Sequence, residues 1–243
     1  MNFKKTIWIL LSFSAAQFAA AEVIGFEVGV NHWNFDTSGS ISDPLDTAAQ
    51  AKINFEDNNE LSVFVTLEHP VPFLPNIKVQ QNPLTARGAV PLSSPDFLGG
   101  EVVMARGAID LSHSDLILYY ELLDNWINLD LGLSAKYFDG YSRIQYEDLI
   151  DDEANFKEWI PMLYGKAQFE LPFSGFSAAA SLEALTLDDS EVIDLDLALK
   201  YRHKLGLGAE VGYRMLDVDI QNSSSFRGDV KADGVYLGVH LDF

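Results

Sequence analysis

The chain has 243 residues, which is enough for one ordinary domain or one mid-sized barrel. Its formal net charge of −20 comes from 16 basic and 36 acidic residues, and this balance repels phosphate backbones, so we expect no nucleic-acid partner. The sequence contains no cysteine, which excludes disulfides and thiolate chemistry from any functional site.

The first 21 residues have the three-part pattern of a secretory signal peptide: a basic start, an apolar stretch and small residues at a cleavage position. The basic start is Lys4 and Lys5, and the small residues are the alanines before Glu22. The apolar stretch is short and rich in alanine and serine, whereas a membrane helix needs about 20 apolar residues. We therefore predict a signal peptide at 1–21 and a mature chain at 22–243.

Apolar and polar residues then alternate in segment after segment, and each segment predicts a β-strand with one apolar face. Two segments are less regular, because 110–123 is apolar on both faces and 76–85 has only two apolar residues in phase. With these two segments included, the pattern predicts about ten strands, within a range of about eight to twelve. The clearer apolar faces run, in chain order, from Ile24 to Val30, Leu61 to Leu67, Ile127 to Tyr137, Leu163 to Leu171, Phe176 to Ala184, Ile193 to Tyr201, Leu207 to Tyr213 and Val235 to Phe243.

The connections between these segments alternate in length. Tight turns at one rim and long loops at the other are typical of an antiparallel up-and-down barrel, and an even strand count places both chain ends at the same rim. The short connections lie near 70–75, 124–125, 172–175 and 204–206, and the longer polar ones near 34–58, 86–107, 141–157 and 221–229.

A soluble sandwich also alternates, so other features must decide what the apolar faces contact. The apolar segments are about 9–11 residues long, which matches a tilted transmembrane strand. Strands can span lipid only as a closed barrel, so we predict a transmembrane barrel whose apolar faces contact hydrocarbon. Aromatic residues suited to the two bilayer interfaces lie near strand ends, at Trp33, Trp126, Tyr137, Trp159, Phe173, Phe176, Tyr201, Tyr213 and Phe243.

The polar strand faces carry charges of both signs, which a barrel would place in its lumen. Eight strands leave room only for side chains and porin channels need about sixteen, so a lumen enclosed by about ten strands is narrow. Unpaired charges there are costly, so we expect a salt-bridged, mostly filled lumen, with a narrow cation-preferring pore as the alternative. The predicted network comprises Glu27, Asp130, Lys136, Lys166, Glu170, Asp194, Asp196, Lys200, Arg202, Glu210 and Arg214.

The last strand resembles the C-terminal signal of bacterial outer-membrane β-barrels, in which alternating apolar residues precede a terminal aromatic. All five positions match, namely Val235, Leu237, Val239, Leu241 and Phe243. The resemblance implies a Gram-negative outer membrane, the barrel-assembly machinery as a partner during biogenesis, and contact with outer-membrane lipid and lipopolysaccharide.

A narrower resemblance extends along the mature chain and is clearest in two stretches. The turn within VTLEHPVPFLPNIKV is similar to the inner turn of a family of uncharacterised proteobacterial outer-membrane β-barrel proteins, and 115–140 is similar to that family's central hairpin. The resemblance implies the fold and the location, and it supplies no catalytic residues. The turn residues that carry it are Glu68, His69, Pro70, Pro72, Pro75 and Asn76.

His113 is a candidate for catalysis, because outer-membrane lipid hydrolases use a serine and a histidine. Adjacent strand residues point to opposite faces, however, so Ser114 cannot share a face with His113. The signature of those hydrolases is also missing. We therefore expect His113 to be a rim histidine and predict no catalytic residues.

Asp148, Asp151, Asp152 and Glu153 form an acidic cluster in a predicted outer loop. Carboxylates are ligands for hard cations, so divalent cations are candidate partners, although no calcium-loop pattern is present. The aspartate pair also resembles half of an omptin-type protease site, but none of the five histidines lies in this loop. We expect a solvated loop, with no cofactor and no metal site.

These observations predict an all-β, antiparallel up-and-down transmembrane barrel in the outer membrane. We expect a non-enzymatic protein that has a structural role or forms a narrow pore with a charged lumen. The alternatives are an outer-membrane enzyme that acts on lipid or peptide, and a soluble periplasmic β protein.

Overall fold

The structure is a computed structural model that describes residues 24–42, 50–56, 58–71, 73–93, 102–187, 190–220 and 228–243. The predicted signal peptide at 1–21 lies outside the described residues. Within these ranges, no helix is long and apolar enough to cross a membrane.

In the described part of the chain, fourteen strands form one antiparallel sheet. They are β1 (Gly25–Ser42), β2 (Gln50–Lys52), β3 (Asn54–Phe55), β4 (Asn58–Glu68), β5 (Asn76–Asn82), β6 (Thr85–Ser93), β7 (Val102–Asp110), β8 (His113–Leu123), β9 (Ile127–Tyr146), β10 (Ile150–Glu170), β11 (Phe176–Leu187), β12 (Ser190–Arg202), β13 (Leu207–Ile220) and β14 (Gly228–Asp242).

Ten of these strands close into a barrel, which confirms the predicted fold. The order around the barrel is β1, β4, β5, β8, β9, β10, β11, β12, β13 and β14, and β14 pairs with β1 to complete the ring. The short turns that join β4 to β5, β8 to β9, β10 to β11 and β12 to β13 lie at one end, which we call the short-turn rim. Both described chain ends meet there, since Phe26 N donates to Phe243 O at 3.2 Å and Phe243 N donates to Phe26 O at 2.9 Å.

The half of the barrel next to the short-turn rim exposes its apolar faces. Leu131, Leu197, Val211 and Leu237 are 47%, 44%, 47% and 66% exposed, whereas Lys136 is fully buried inside. Aromatic pairs in tilted or edge-to-face contact mark both edges of this surface: Phe26–Phe243, Trp126–Phe169 and Phe176–Tyr201 near the short-turn rim, and Tyr137–Trp159 at the other edge. We call it the apolar belt, formed by the outward side chains of 24–30, 61–67, 116–122, 127–137, 159–171, 176–184, 193–201, 207–213 and 235–243.

The strands continue beyond the belt. There the inward side chains become apolar and the outward side chains become polar. Along β13, outward Val211 belongs to the belt, whereas Leu216 and Val218 point inward and are buried. Strand β14 changes in the same way, with Val235 outward and Val230 buried inside. This distal half of the barrel therefore has an apolar core and a polar exterior, as a soluble β-domain has. The core residues include Trp33, Phe35, Leu84, Val90, Leu92, Ile109, Leu111, Phe138, Phe156, Val192, Leu216, Val218 and Val230.

The long polar loops predicted at 34–58, 86–107 and 141–157 are largely strands, so that part of the prediction is wrong. β1 runs to Ser42, β6 and β7 form a hairpin, and β9 and β10 continue to a turn at 147–149. These segments bury apolar residues in the opposite phase to the belt. Where the apolar residues switch from the outward to the inward face, the regular alternation of apolar and polar residues is interrupted. The sequence therefore resembles a loop.

Replacing Leu216 by alanine should lower the free energy of unfolding by about 2–5 kcal/mol, because it leaves a cavity in the distal core. Leu237→Ala, in the belt, should cost about 1 kcal/mol or less, since solvent fills the space. Guanidinium unfolding of both variants in one detergent, followed by tryptophan fluorescence, measures the difference. Equal losses would contradict the division into belt and core.

Candidate functional site in the barrel lumen

The lumen changes character from the short-turn rim to the distal half. It begins as a vestibule of about 660 Å³ that opens at the short-turn rim, and it continues into an inner cavity of about 80 Å³. A cluster of buried ionic side chains follows, and beyond it lies the apolar core. The end at the short-turn rim is polar and open.

Lys136 is the centre of the ionic cluster. Its ammonium group lies 2.8 Å from Asp194, 3.1 Å from Asp115 and 3.2 Å from Glu183, and its side chain has no exposed surface. A buried lysine is costly unless carboxylates surround it, and three carboxylates do so here. These contacts join β8, β9, β11 and β12 across the lumen.

Arg214 forms the second half of the cluster. Its Nε and Nη2 donate to the two carboxylate oxygens of Asp194 at 3.0 and 2.7 Å, and its Nη1 donates to Asn82 Oδ1 at 2.7 Å. Asn82 Nδ2 donates in turn to Asp115 Oδ2 at 2.7 Å. A two-pronged arginine–carboxylate pair fixes both groups in orientation as well as distance.

His113 completes this cluster, and its partners define its tautomer. Its Nδ1 lies 2.9 Å from the carbonyl of Leu111, which can only accept, so Nδ1 carries the proton. Its Nε2 lies 3.3 Å from Arg214 Nη2, which can only donate, so Nε2 is the acceptor. His113 is therefore a neutral bridge inside the lumen, and the predicted position at the rim is wrong.

The ionic cluster lies at the boundary where the lumen becomes apolar. The next inward residue beyond Lys136 is Phe138, beyond Asp194 it is Val192, and beyond Arg214 it is Leu216. Trp33 of β1 is buried at this boundary, where the Arg214 guanidinium lies 5.2 Å from its ring centroid, so its predicted position at a bilayer interface is wrong.

Ligand atoms of His113, Asp115 and Asp194 all lie within 4.8 Å of one another, as in a metal site. Lys136 contacts one oxygen of Asp115 and one of Asp194, and Arg214 contacts both oxygens of Asp194, whereas Asp115 Oδ1 has no hydrogen-bond partner. A divalent cation at this point would meet two fixed positive charges at short range. The carboxylates here are already paired with two fixed side-chain cations, and the arrangement therefore does not fit a metal ion.

The inner cavity is lined by polar side chains. Tyr236 of β14 lies over β13 inside the lumen, and its hydroxyl donates to Asp196 Oδ1 of β12 at 3.1 Å. Gly212 makes this possible, because a Cβ there would lie 2.4 Å from the tyrosine ring. Lys78 lies 5.0 Å over the ring of Phe64, and Lys200 pairs with Glu210 at 3.1 Å.

The vestibule has more carboxylates than cations. Glu68, Glu121, Asp124 and Glu170 line it, whereas its lysines and arginine are already paired: Lys166 with Asp130 at 3.2 Å, Lys200 with Glu210, and Arg202 with Asp242. Such a mouth attracts cations and repels anions.

The structure brings some of the predicted network residues together and separates others. Three of them meet in the ionic cluster, namely Lys136, Asp194 and Arg214, and two further pairs form nearer the short-turn rim. Arg202 is exposed at the rim, and Glu27 and Glu170 line the vestibule.

Sequence reasoning missed four members of the ionic cluster: Asn82, His113, Asp115 and Glu183. Glu183 was readable, because it lies in phase with Ser177 and Ser181 and so belongs to the inward face of β11. Asp115 was not, because inward Ile117 and outward Leu116 make both faces of β8 apolar.

The candidate catalytic residues do not form a pair. His113 is buried in the lumen, whereas Ser114 lies on the opposite face and donates to Gln81. His69 has a local role in its turn, where Val71 N donates to its Nδ1 at 3.2 Å and its Nε2 lies 3.1 Å from Pro75 O.

The acidic cluster lies at the distal tip of the β9–β10 hairpin. Arg143 donates to both oxygens of Asp151 at 2.8 and 2.7 Å and lies 3.6 Å from Glu153. These hydrogen bonds hold the pKa of the exposed Asp151 carboxyl below its usual range. One of the predicted cation ligands is thus already engaged by an arginine.

No model of a known protein family matches the chain, and no curated protein sequence matches it. The resemblance predicted from the turn at 69–75 therefore stays a prediction. Among solved structures, the β domain of the Bordetella autotransporter BrkA is 8% identical with a TM-score of 0.45, covering 90% of this chain and 99% of that one.

Two other solved structures are similar to a comparable degree. The translocator domain of NalP from Neisseria meningitidis is 12% identical with a TM-score of 0.43, covering 93% of this chain and 90% of that one. Ail of Yersinia pestis, in complex with the heparin analogue sucrose octasulfate, is 10% identical with a TM-score of 0.38, covering 91% and 100%. Likeness at this level carries no conclusion about what the present chain binds or does.

Replacing Lys136 by methionine should destabilise the barrel by about 3–5 kcal/mol, because it leaves buried carboxylates with one cation fewer. Lys157→Met is the matched control: it breaks the exposed pair with Asp139, which solvent already screens, so little should change. Unfolding in detergent at neutral pH compares the two variants. A loss at position 136 as small as that at 157 would contradict a structural role for the ionic cluster.

Proposed function

We propose that this protein is an integral outer-membrane barrel with a sealed lumen, and that its role is structural rather than conductive or catalytic. The observation that carries the proposal is the apolar belt. Its apolar side chains are exposed all around the barrel, while lysine, arginine and carboxylates fill the inside of the same strands. A soluble barrel would place these faces the other way round.

The dimensions of the belt support the same placement. On β14 the outward apolar series runs from Val235 to Phe243, close to the length that a tilted strand needs to cross hydrocarbon. Aromatic pairs lie at both edges, where interfacial rings are favoured. Closure of the ring leaves no unpaired sheet edge within the belt region.

The seal favours a structural role over the narrow pore. Lys136 has no exposed surface, and the core residues beyond it, such as Ile109 and Val90, are also inaccessible. An ion entering the vestibule would have to displace the paired charges and then cross an apolar core, which is strongly unfavourable. The charged lumen therefore ends as a blind vestibule.

Placement in the cell completes the proposal. We assign residues 1–21 as an export signal and the series 235–243 as the segment read by the barrel-assembly machinery. The short-turn rim then faces the periplasm, and the distal half projects from the membrane towards lipopolysaccharide. Divalent cations bridging to lipopolysaccharide would contact the acidic tip at Asp148 and Asp152, since Arg143 engages Asp151 and Glu153.

Heat-dependent gel mobility tests the membrane placement. The detergent-extracted protein should migrate differently before and after boiling, because a closed barrel resists the gel detergent until it is heated. Cell fractionation accompanies the gel as its control. Recovery of the folded protein in the soluble fraction without detergent would refute the placement.

Planar bilayer recordings test the seal. The purified protein should insert and give no conductance steps, while an open porin in the same bilayer gives them. Reproducible steps whose preference for cations falls in Glu121→Gln, at the vestibule wall, would show that ions pass through this lumen and would contradict the seal.

A further inference from the structure

Two phenylalanines at the short-turn rim are almost completely exposed in a backbone conformation that phenylalanine disfavours. Phe73 is 95% exposed with φ at 67°, and Phe173 is 111% exposed with φ at 63°. In the described ranges, Glu147 at the opposite end is the remaining residue other than glycine with a positive φ. Side chains with a Cβ are strained in this region.

Both phenylalanines occupy the same position in the same kind of turn. Leu74 N donates to Val71 O, and Ser174 N donates to Leu171 O, so each turn is closed between its first and fourth residues. A proline precedes each phenylalanine in the sequence, PVPFLP and LPFSG. This pattern is a type II turn, whose third position normally takes glycine because φ is positive there.

No packing explains why an aromatic residue stands where glycine would fit. An exposed ring gains nothing from the protein core, and its backbone is strained in addition. Strain of this kind persists where a function needs the side chain. Its occurrence at two turns of one rim points to a shared contact outside the protein.

The two turns adjoin the edge of the apolar belt. Tyr120 lies on the outward face of β8, and its hydroxyl donates to Phe73 O at 2.9 Å. Leu171 is exposed and continues the outward series of β10 that contains Phe169. The two phenylalanine rings therefore extend the apolar belt past the aromatic pairs that mark its edge at the short-turn rim.

We propose that Phe73 and Phe173 insert into the phospholipid monolayer on the short-turn side and fix the depth at which the barrel lies. This inference rests on the proposed membrane placement. The partner is the boundary between headgroups and acyl chains, where aromatic rings are favoured. The belt runs directly into both turns, which favours lipid as the contact over a periplasmic protein.

Site-specific labelling tests the contact, because the chain has no cysteine and a single introduced cysteine labels uniquely. Variants Phe73→Cys and Phe173→Cys carry an environment-sensitive fluorophore and are folded into vesicles of phosphatidylethanolamine and phosphatidylglycerol. Leu149→Cys, at the distal turn, and Leu237→Cys, in the belt, are the references for water and acyl chain. Iodide and lipids with quenchers at two depths then locate each label.

Labels at 73 and 173 should be quenched best by the shallow lipid quencher and should be several-fold less accessible to iodide than the label at 149. Iodide access equal to that at 149, with the label at 237 in the acyl region, would overturn the insertion and leave the membrane barrel standing. A water-exposed label at 237 would overturn the proposed function itself. Protection of the labels at 73 and 173 from iodide and from both lipid quenchers would indicate a protein contact and would also overturn the insertion.

Glycine substitutions give a second measurement that avoids the label. Glu147→Gly relieves a positive φ without removing an aromatic ring, so it should raise the folded-to-unfolded ratio in vesicles about fivefold. Phe73→Gly and Phe173→Gly relieve the same strain, yet they should lower the ratio in vesicles because the anchoring ring is lost. An increase equal to that of Glu147→Gly in both variants would overturn the inference.

Discussion

The hydrogen-bonded closure of the sheet along the belt governs this structure. A strand whose outer face contacts an apolar medium cannot leave its N–H and C=O groups without partners, so the sheet must return to its own first strand. The ladder between β1 and β14 closes the ring, and it runs over fifteen consecutive residue pairs from Glu27 to Ile41. The position of the ionic cluster and of the apolar core follows from how this closed wall divides inward from outward side chains.

The wall encloses two different interiors, because the chemistry of its outward face changes along its length. Beside the belt, the outside is apolar and the lumen takes the polar residues. In the distal half, the outside is polar and the lumen takes the apolar ones. The ionic cluster lies at the boundary, where Lys136 and Arg214 face paired carboxylates on one side and Phe138 and Leu216 on the other. The proposed seal of the lumen also lies at this boundary.

The belt strands could be predicted from the sequence because their alternation is regular and in one phase. Ile127 to Tyr137 and Val235 to Phe243 fall into this class, and both lie where the pattern placed them. The distal strands were missed because the phase changes within a strand, as between Tyr213 and Leu216 of β13. A search for two opposed phases within one segment would have found the distal core.

The lumen was predictable only as far as the inward face of each strand was clear. Lys136, Asp194 and Arg214 were found because their strands alternate cleanly. Asp115 lies on a strand that is apolar on both faces, and the contact of Asn82 with Arg214 joins residues far apart in the chain. Register between distant strands decides such contacts, and no local pattern encodes it. Phe173 was among the aromatic residues predicted at the bilayer interfaces and Phe73 was not, and the positive φ that both share cannot be read from alternation.

The ionic cluster also gives the barrel an uneven resistance to mechanical force. A pull on the N-terminal end withdraws β1 and β4 before it strips Asn82 of β5 from Arg214, and only the ring of Trp33 leaves the cluster during those first steps. A pull on the C-terminal end removes β14 and then reaches Arg214 in the very next strand. A pull on the C-terminal end therefore meets the ionic cluster at the second barrel strand that it removes, whereas a pull on the N-terminal end meets it at the third.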